Sequence, residues 1–192
     1  MEESVTETRD WQGMKLMMER LLQERTGADV DSWKKRMEQE TFQDEQQLRA
    51  WLNAQGVTGY AQTLLVMERF GYPDFMLASA DDLIEGQYAD RPPLRPILDA
   101  ILAAAAGLGP FTIQARKTYV SLVSPRRTFA RVQPTTKQRV DLALRLEGLQ
   151  PGGRLQPSKI QENTPLQISL TAPEEVDDEV LDWMRRAYEQ NL

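Results

Sequence analysis

Apolar residues recur at helical spacing through the first part of the chain, up to about residue 72. Gly27, Gly56 and Gly71 follow three of these apolar runs, and glycine is the residue that most often ends a helix. The pattern therefore predicts several short helices, each burying one face. The apolar positions of these faces are Trp11, Met14, Met18 and Leu21, then Trp33 and Met37, then Leu48, Trp51 and Leu52, then Ala61, Leu64 and Leu65.

Three more helices are predicted after residue 78. Ser79 and Asp82 have the spacing of a capping box, which favours a short helix there. A longer helix is predicted from about residue 90 to Gly107, since prolines are tolerated in a first turn. The last helix follows Pro173 and has acidic residues near its start, as the helix dipole prefers.

From residue 111 the period of the apolar pattern changes from that of a helix to two, which is typical of β-strands. Short joins rich in proline, serine and threonine separate the runs, so neighbouring strands are expected to pair as antiparallel hairpins. The predicted strands are 111–115, 118–123, 128–133, 139–146 and, more distantly, 166–170.

These elements together predict an α+β fold. We expect a helical domain over residues 1–72 and a second domain over residues 79–192. The second domain would contain a helix, an antiparallel sheet of four to five strands and a C-terminal helix that packs on one face of the sheet.

Composition excludes several kinds of chemistry. The chain has no cysteine and no histidine, so it contains no disulfide, no cysteine nucleophile and no Ser-His-Asp triad, and a zinc site lacks its usual ligands. We predict no metal and no cofactor. The N-terminal residues are acidic and polar, unlike a secretory signal, and the most apolar run, 97–108, is too short to span a bilayer. A cytoplasmic location without membrane contact is expected.

Charge is distributed unevenly along the chain. Residues 111–159 contain ten basic and two acidic residues, a net charge of +8, in a chain whose formal net charge is −6. The remaining residues therefore carry −14. Such an imbalance of charge bears on the partners that the surface attracts, and not on the fold that the chain adopts.

Strand alternation places part of this basic charge on one face of the predicted sheet. That face would present arginines interleaved with aromatic side chains, with Lys137 at a hairpin tip. Arginines bind phosphates and aromatic rings stack on bases, so the face is a candidate site for nucleic acid or another polyanion. The candidate residues are Arg127, Arg131, Lys137, Arg139, Arg145, Tyr119 and Phe129.

A simpler interpretation of the same residues is a solvated sheet face. Asp141 would then pair with Arg131 or Arg145 across strands, and the acidic helices would neutralise the remaining cations. Phe129 would belong to the core if a β-bulge shifted the register.

Two other function classes compete with the binding module. The first is a protein–protein interaction or regulatory protein, with a homodimer as one form, that docks through a helix carrying Trp11, Met14, Met17 and Met18. The second is an enzyme without histidine or cysteine, for which Asp141 and Tyr119, the latter close to Ser121, are the candidate groups. An ionised aspartate among arginines is a weak base, which makes the enzyme the least favoured class.

Two sets of motifs resemble domains of bacterial proteins of unknown function. Thr26-Gly27, Ser32-Trp33 and the run 48–52 resemble a short helical domain of that kind. The runs 117–121, 129–130, 132–137 and 139–142 resemble the second domain that often follows it, sometimes labelled a predicted transport protein. The resemblance implies this two-domain architecture and a bacterial source, and it implies no activity.

Overall fold

The computed structural model describes residues 7–9 and 11–192, and the side chains of residues 13–74 and 76–192. The described chain forms two compact units. One unit is helical and extends to Ala78, and the other comprises residues 7–9 and Ser79–Leu192. The fold class is α+β, as predicted. That residues 1–72 and 79–192 are separate, independently folding domains stays a prediction.

The helical unit contains five helices around one apolar core. They are α1 (Trp11–Thr26), α2 (Val30–Glu38), α3 (Glu45–Ala54), α4 (Gly59–Phe70) and the short α5 (Asp74–Leu77). The side chains of Asp29 and Asp44 cap α2 and α3 by accepting hydrogen bonds from Ser32 N and Gln47 N. The core includes Met18, Leu22, Trp33, Leu48, Leu52, Leu64 and Leu65.

The position of Met18 corrects the predicted docking helix. Met18 is only 1% exposed, while Met14 and Met17 pack partly against the core of the helical unit. These methionines therefore stabilise the unit itself, because their apolar surface already lies against other helices. The side chain of Trp11, the fourth member of that set, lies outside the described residues.

A charged cluster lies beside this core. The carboxylate of Glu68 is 8% exposed, lies 3.3 Å from Lys15 Nζ, and also pairs with Lys34 and accepts a hydrogen bond from the hydroxyl of Tyr72. Burial raises the pKa of Glu68, but hydrogen bonds from Lys34, Tyr72 and Lys15 lower it, and the resulting pKa is below the ordinary value. The ionised carboxylate therefore contributes to the stability of the folded state.

The second unit contains three helices and one sheet. The helices are α6 (Ala80–Tyr88), α7 (Arg95–Ala106) and α8 (Asp178–Gln190), with 3₁₀ turns at Pro92–Leu94 and Pro173–Glu175. The strands are β1 (Glu7–Arg9), β2 (Thr112–Ala115), β3 (Val120–Val123), β4 (Thr128–Gln133), β5 (Val140–Leu144), β6 (Gln156–Gln161) and β7 (Thr164–Leu170). Ser79 and Asp82 form the predicted capping box of α6.

The strand count corrects the prediction of four to five. The described residues form a seven-stranded sheet in the order β1-β2-β3-β4-β5-β7-β6. Its last six strands are antiparallel, and β1 adds in parallel to β2. The prediction missed β1, which has only three polar residues, and β6, which contains Pro157 and lies at an edge where a proline removes no ladder hydrogen bond.

One face of the sheet is apolar and lies against the helices, with α8 packed on β4 and β5 and α7 packed against α8. The cross-strand register places on this face Val120, Leu122, Ala130, Val132, Val140, Leu142, Leu144, Leu166, Ile168 and Leu170, all buried. Helix α7 adds Ile97, Ile101 and Ala105, which are buried and recur at helical spacing.

Phe129 is also part of this core, which corrects its predicted place on the wet face. The register between β3 and β4 shifts, because Leu122 pairs with Ala130 but Val123 pairs with Thr128. Phe129 is the extra residue of this bulge, and a bulge re-aims the side chain that it inserts. The ring is 0% exposed and meets Phe111 and Tyr188 edge-to-face, with centroid distances of 6.2 and 5.2 Å.

Tyr188 also restricts the turn between α7 and β2. Its hydroxyl donates a hydrogen bond to the carbonyl oxygen of Pro110 at 3.0 Å. Gly109 has φ of +139°, and a Cβ there would lie 2.6 Å from that hydroxyl oxygen. Only glycine combines this backbone conformation with so close an approach.

Within residues 7–9 and 11–192, no helix combines the length and apolar character needed to cross a bilayer.

We expect Glu68→Gln to lower the free energy of unfolding by about 2 kcal/mol at pH 7, since it removes the charge that Lys34 and Tyr72 bind. The folded-state pKa of Glu68 is lowered, so the contribution is present above the unfolded pKa and is lost as pH falls through the folded pKa. The difference between wild type and variant should therefore shrink in acid. Urea unfolding at several pH values measures it. The control is Glu24→Gln, whose carboxylate is 61% exposed; an equal loss in both variants would contradict the prediction.

We expect Gly109→Ala to destabilise the second unit by about 2 kcal/mol, because the new Cβ must displace Tyr188. Gly86→Ala in α6 is the matched control, since a Cβ there meets no atom within 4 Å. It should stabilise by about 0.5 kcal/mol through helix propensity. Thermal unfolding checks both, and a similar melting shift for the two variants would exclude the proposed contact with Tyr188.

Candidate functional site

The second face of the sheet carries polar side chains, and we call it the polar face. Across it, Gln114 pairs with Ser121, Ser121 with Arg131, Arg131 with Ala143, and Ala143 with Gln167. Gln133, Asp141 and Ser169 form the next row. Several of these side chains are buried although they are polar, so this face is more than a solvated surface.

Arg131 lies at the centre of the polar face and is only 7% exposed. Its Nη1 donates hydrogen bonds to the Oδ1 of Asn163 and, at 3.5 Å, to the hydroxyl of Thr164, while its Nε has no hydrogen-bond partner. Among the described residues, no carboxylate oxygen lies within 4.0 Å of this guanidinium. A buried cation held only by neutral acceptors is unusual, because burial without a counter-charge is costly.

Two further arginines surround Arg131. Arg145 donates from Nε to the backbone oxygen of Asn163 at 2.8 Å, and Arg116 donates to Gln114 Oε1 at 3.0 Å. Burial lowers the pKa of Arg131, the interaction with Tyr119 opposes this shift, and the positive charges of Arg145 and Arg116 add to it, so that the resulting pKa lies below the ordinary value. The guanidinium carbon of Arg131 also lies 5.6 Å from the centroid of the Tyr119 ring. The polar face thus concentrates positive charge around one buried group.

The β6–β7 hairpin covers this group. Its two-residue turn, Glu162-Asn163, provides the acceptors for Arg131 and Arg145. Gln161, the last residue of β6, donates from Nε2 to the hydroxyl of Tyr119 at 3.3 Å. The tip of the hairpin therefore contacts Tyr119, Arg131 and Arg145, three of the residues predicted to bind an anion.

The backbone of Arg145 is fixed from its other side. Its carbonyl oxygen accepts a 2.9 Å hydrogen bond from Nδ2 of Asn191, a residue that is 0% exposed. The backbone oxygen of Asn191 in turn accepts a hydrogen bond from Ser124 Oγ at 2.5 Å. Arg145 is therefore held between the end of α8 and the hairpin tip.

Arg139 and Asp141 form a separate pair on the polar face. Arg139 Nε lies 3.2 Å from Asp141 Oδ1, and the hydroxyl of Ser169 donates to the same oxygen at 2.6 Å. This corrects the predicted pairing of Asp141 with Arg131 or Arg145. Asp141 is 1% exposed, and both of these contacts are made by its Oδ1 atom.

Two predicted site residues lie away from Arg131. Arg127 precedes the bulge, and its Nη2 lies 3.3 Å from Glu147 Oε1 and 3.5 Å from the backbone oxygen of Gln190 near the end of α8. Lys137 is 76% exposed in the turn between β4 and β5, 4.0 Å from Asp90 Oδ2. The alternation that grouped Arg127 with Arg131 failed because Phe129 is an extra residue between them.

A cleft of about 420 Å³ lies where the turns before β3 and after β4 meet the end of α6. Gln87 forms one wall and donates from Nε2 to the backbone oxygens of Arg116 and Tyr119. Arg91 donates to the backbone oxygen of Pro134 at 2.6 Å. These bonds fix both turns next to the polar face. The other lining residues are Gly86, Asp90, Lys117, Thr118, Gln133 and Thr135.

Sequence reasoning missed Arg116, Gln161 and Asn163 as members of the site. Arg116 follows β2 and was counted in the basic region, so extending the strand alternation by one residue would have found it. Asn163 and Gln161 carry no sequence signal, because a polar two-residue turn is ordinary in any hairpin. In the described part of the chain, no group of three or more acidic side chains is placed to hold a metal ion.

The comparisons with known proteins agree with the predicted domain of unknown function. A family described as "Domain of unknown function (DUF5655)" matches residues 81–191. No curated protein and no solved structure gives a significant match. The bacterial source and the N-terminal helical domain of the predicted resemblance stay predictions.

Proposed function

The chain belongs to the family of the domain of unknown function DUF5655, whose description names no activity, and we propose from its geometry that it is a non-enzymatic binding module for a polyanion. The site is the polar face around Arg131, with Arg116 and Arg145 beside it. One observation carries the proposal: the buried guanidinium of Arg131 has only neutral hydrogen-bond acceptors.

Electrostatics support an anionic ligand. Hydrogen bonds from a guanidinium to an anionic oxygen are roughly twice as strong as those between neutral groups. Arg131 and Arg145 now donate to the amide and backbone oxygens of Asn163, so a phosphate or carboxylate oxygen would be a better acceptor for both. The ligand would also relieve the repulsion between Arg131 and Arg145.

The aromatic side chains favour recognition through phosphates over stacking on bases. Phe129 is buried in the core, and the guanidinium of Arg131 lies over the Tyr119 ring. Sequence-tolerant binding of single strands relies on exposed aromatic rings, and of these two rings only the half-buried Tyr119 remains on the polar face. Nucleic acid therefore remains a proposed ligand, and it would bind through its phosphodiester backbone.

We expect the full chain to bind a fluorescein-labelled oligothymidylate, with anisotropy as the readout, and Arg145→Glu to weaken binding at least tenfold. Three arginine contacts predict a slope of log K against log salt of about −2 for a single strand. Thermal unfolding establishes that the variant is folded.

Arg20→Glu is the matched control for charge. Its side chain is 72% exposed in the helical unit and lies 3.7 Å from Glu24. This variant should bind within about twofold of wild type, since an exposed charge distant from the ligand is screened. Equal weakening by both variants, or binding that ignores salt, would exclude the polar face as the site.

A second candidate function is self-association through the helical unit. Leu16 in α1 and Leu77 in α5 are 67% and 70% exposed, and these two helices contact each other. An interaction surface is marked by a contiguous apolar patch, so this second proposal requires that the two leucines share one.

If the chain is a dimer, we expect the double change Leu16→Glu and Leu77→Glu to convert it to a monomer, because two charges would be buried at the interface. Light scattering coupled to size-exclusion chromatography measures the mass directly. A wild-type protein that stays monomeric at high concentration would exclude this function, whatever the variant does.

A further inference from the structure

The contacts of the hairpin tip define what occupies the proposed site in this structure. Asn163 supplies two oxygens, with Oδ1 accepting from Arg131 Nη1 and the backbone oxygen accepting from Arg145 Nε. Both acceptors belong to one residue of a two-residue turn, Glu162-Asn163. A phosphodiester likewise has two non-bridging oxygens that accept from separate guanidinium groups.

We infer that Asn163 is a built-in occupant of the anion site and that a phosphate group of the ligand displaces it from Arg131 and Arg145. This inference rests on the proposed function, and it adds both the chemical group that is recognised and the reason why the site is closed without it. The hairpin tip would move away from the polar face when the phosphate binds.

The attachment of the hairpin is consistent with such displacement. The pairing of β6 with β7 is irregular between Pro157 and Gln161, so the ladder is interrupted close to the tip. Beyond that interruption, the tip is held on the polar face by hydrogen bonds from Arg131 and Arg145 to neutral oxygens and by one from Gln161 to Tyr119. A guanidinium binds an anionic phosphate oxygen more strongly than a neutral amide oxygen, because charge attraction adds to the hydrogen bond, so a phosphate competes well for the two arginines.

Substitutions at Asn163 separate an occupant from a structural support. Asn163→Ala removes the acceptor of Arg131 and should tighten binding of the oligothymidylate by about threefold to tenfold, since one competing hydrogen bond is lost. Asn163→Asp is isosteric and supplies a carboxylate in the same place, so it should close the site and weaken binding at least tenfold. A merely structural role predicts weaker binding for Asn163→Ala as well.

Thermal unfolding is the second measurement on the same variants. Asn163→Asp should raise the melting temperature, because an ion pair replaces the hydrogen bond of a buried cation to a neutral acceptor. Asn163→Ala should lower it. Asn163 thus stabilises the ligand-free protein and competes with the ligand for the arginines. We therefore expect the variant with the higher melting temperature to bind the ligand more weakly.

Gln138→Glu controls for the added negative charge of Asn163→Asp. Gln138 is exposed in the turn between β4 and β5 and is bonded there through its backbone N–H. Its replacement should leave both affinity and melting temperature close to wild type. Similar effects of the two acidic substitutions would overturn the inference, because general repulsion would then explain the loss of binding.

The remaining outcomes distinguish this inference from the proposed function. Wild-type binding that both Asn163 substitutions weaken would overturn the occupant role and leave the binding module in place. Absence of binding in wild type and in Asn163→Ala would overturn the binding module and the inference together. Tighter binding of poly-glutamate than of oligothymidylate would overturn the assignment of phosphate as the recognised group.

Discussion

The bulge at Phe129 determines which side chains of β4 face the helices and which lie on the polar face. A strand alternates strictly, so one inserted residue exchanges the faces of everything before it relative to everything after it. The insertion puts Phe129 against Phe111 and Tyr188 and leaves Arg131 on the opposite side of β4. Without it, either the largest ring of the strand or its central arginine would lie on the wrong face.

Periodicity predicted the elements of this fold better than their pairing partners. The helical spacing of Leu48, Leu52, Leu64 and Leu65 and the alternation of Val140, Leu142 and Leu144 both reflect burial of one face, which is a local property of sequence. The sequence pattern did not predict the strands β1 and β6, because edge strands bury little apolar surface and need no apolar alternation. Their places in the sheet come from partners distant in sequence, such as Thr112 for Glu7.

The positive charge of the candidate site was predictable from the sequence, but the arrangement of its side chains was not. The basic region between residues 111 and 159 was evident from composition, and Arg131 and Arg145 do lie together. Alternation had no means of separating Arg127 from them, because the register shift depends on packing of Phe129 against distant residues. Asn163 was not predictable at all, since its role arises only where a hairpin tip meets β4 across the polar face.

Acidic residues neutralise much of the basic charge at the edges of the second unit. Arg154 binds Asp177 and Glu179 at 2.7 and 3.0 Å, and Arg127 binds Glu147. The neutralisation expected from the acidic helices therefore takes place at the start of α8 and in the turns. Among the described residues, no carboxylate lies within 4.0 Å of the guanidinium of Arg131, and a charge that is this buried is screened less by solvent than a charge at the surface.

The hydrogen bond from Asn191 to the carbonyl oxygen of Arg145 gives the end of α8 a mechanical role. The same amide nitrogen also donates to the backbone oxygen of Ala187 at 2.6 Å, so the last turn of the helix and the strand end are clamped as one piece. A shift of the last turn of α8 would therefore move the backbone of Arg145, whose guanidinium belongs to the proposed anion site. The hairpin tip thus restrains Arg145 through its side chain, whereas the C-terminal helix restrains it through its backbone.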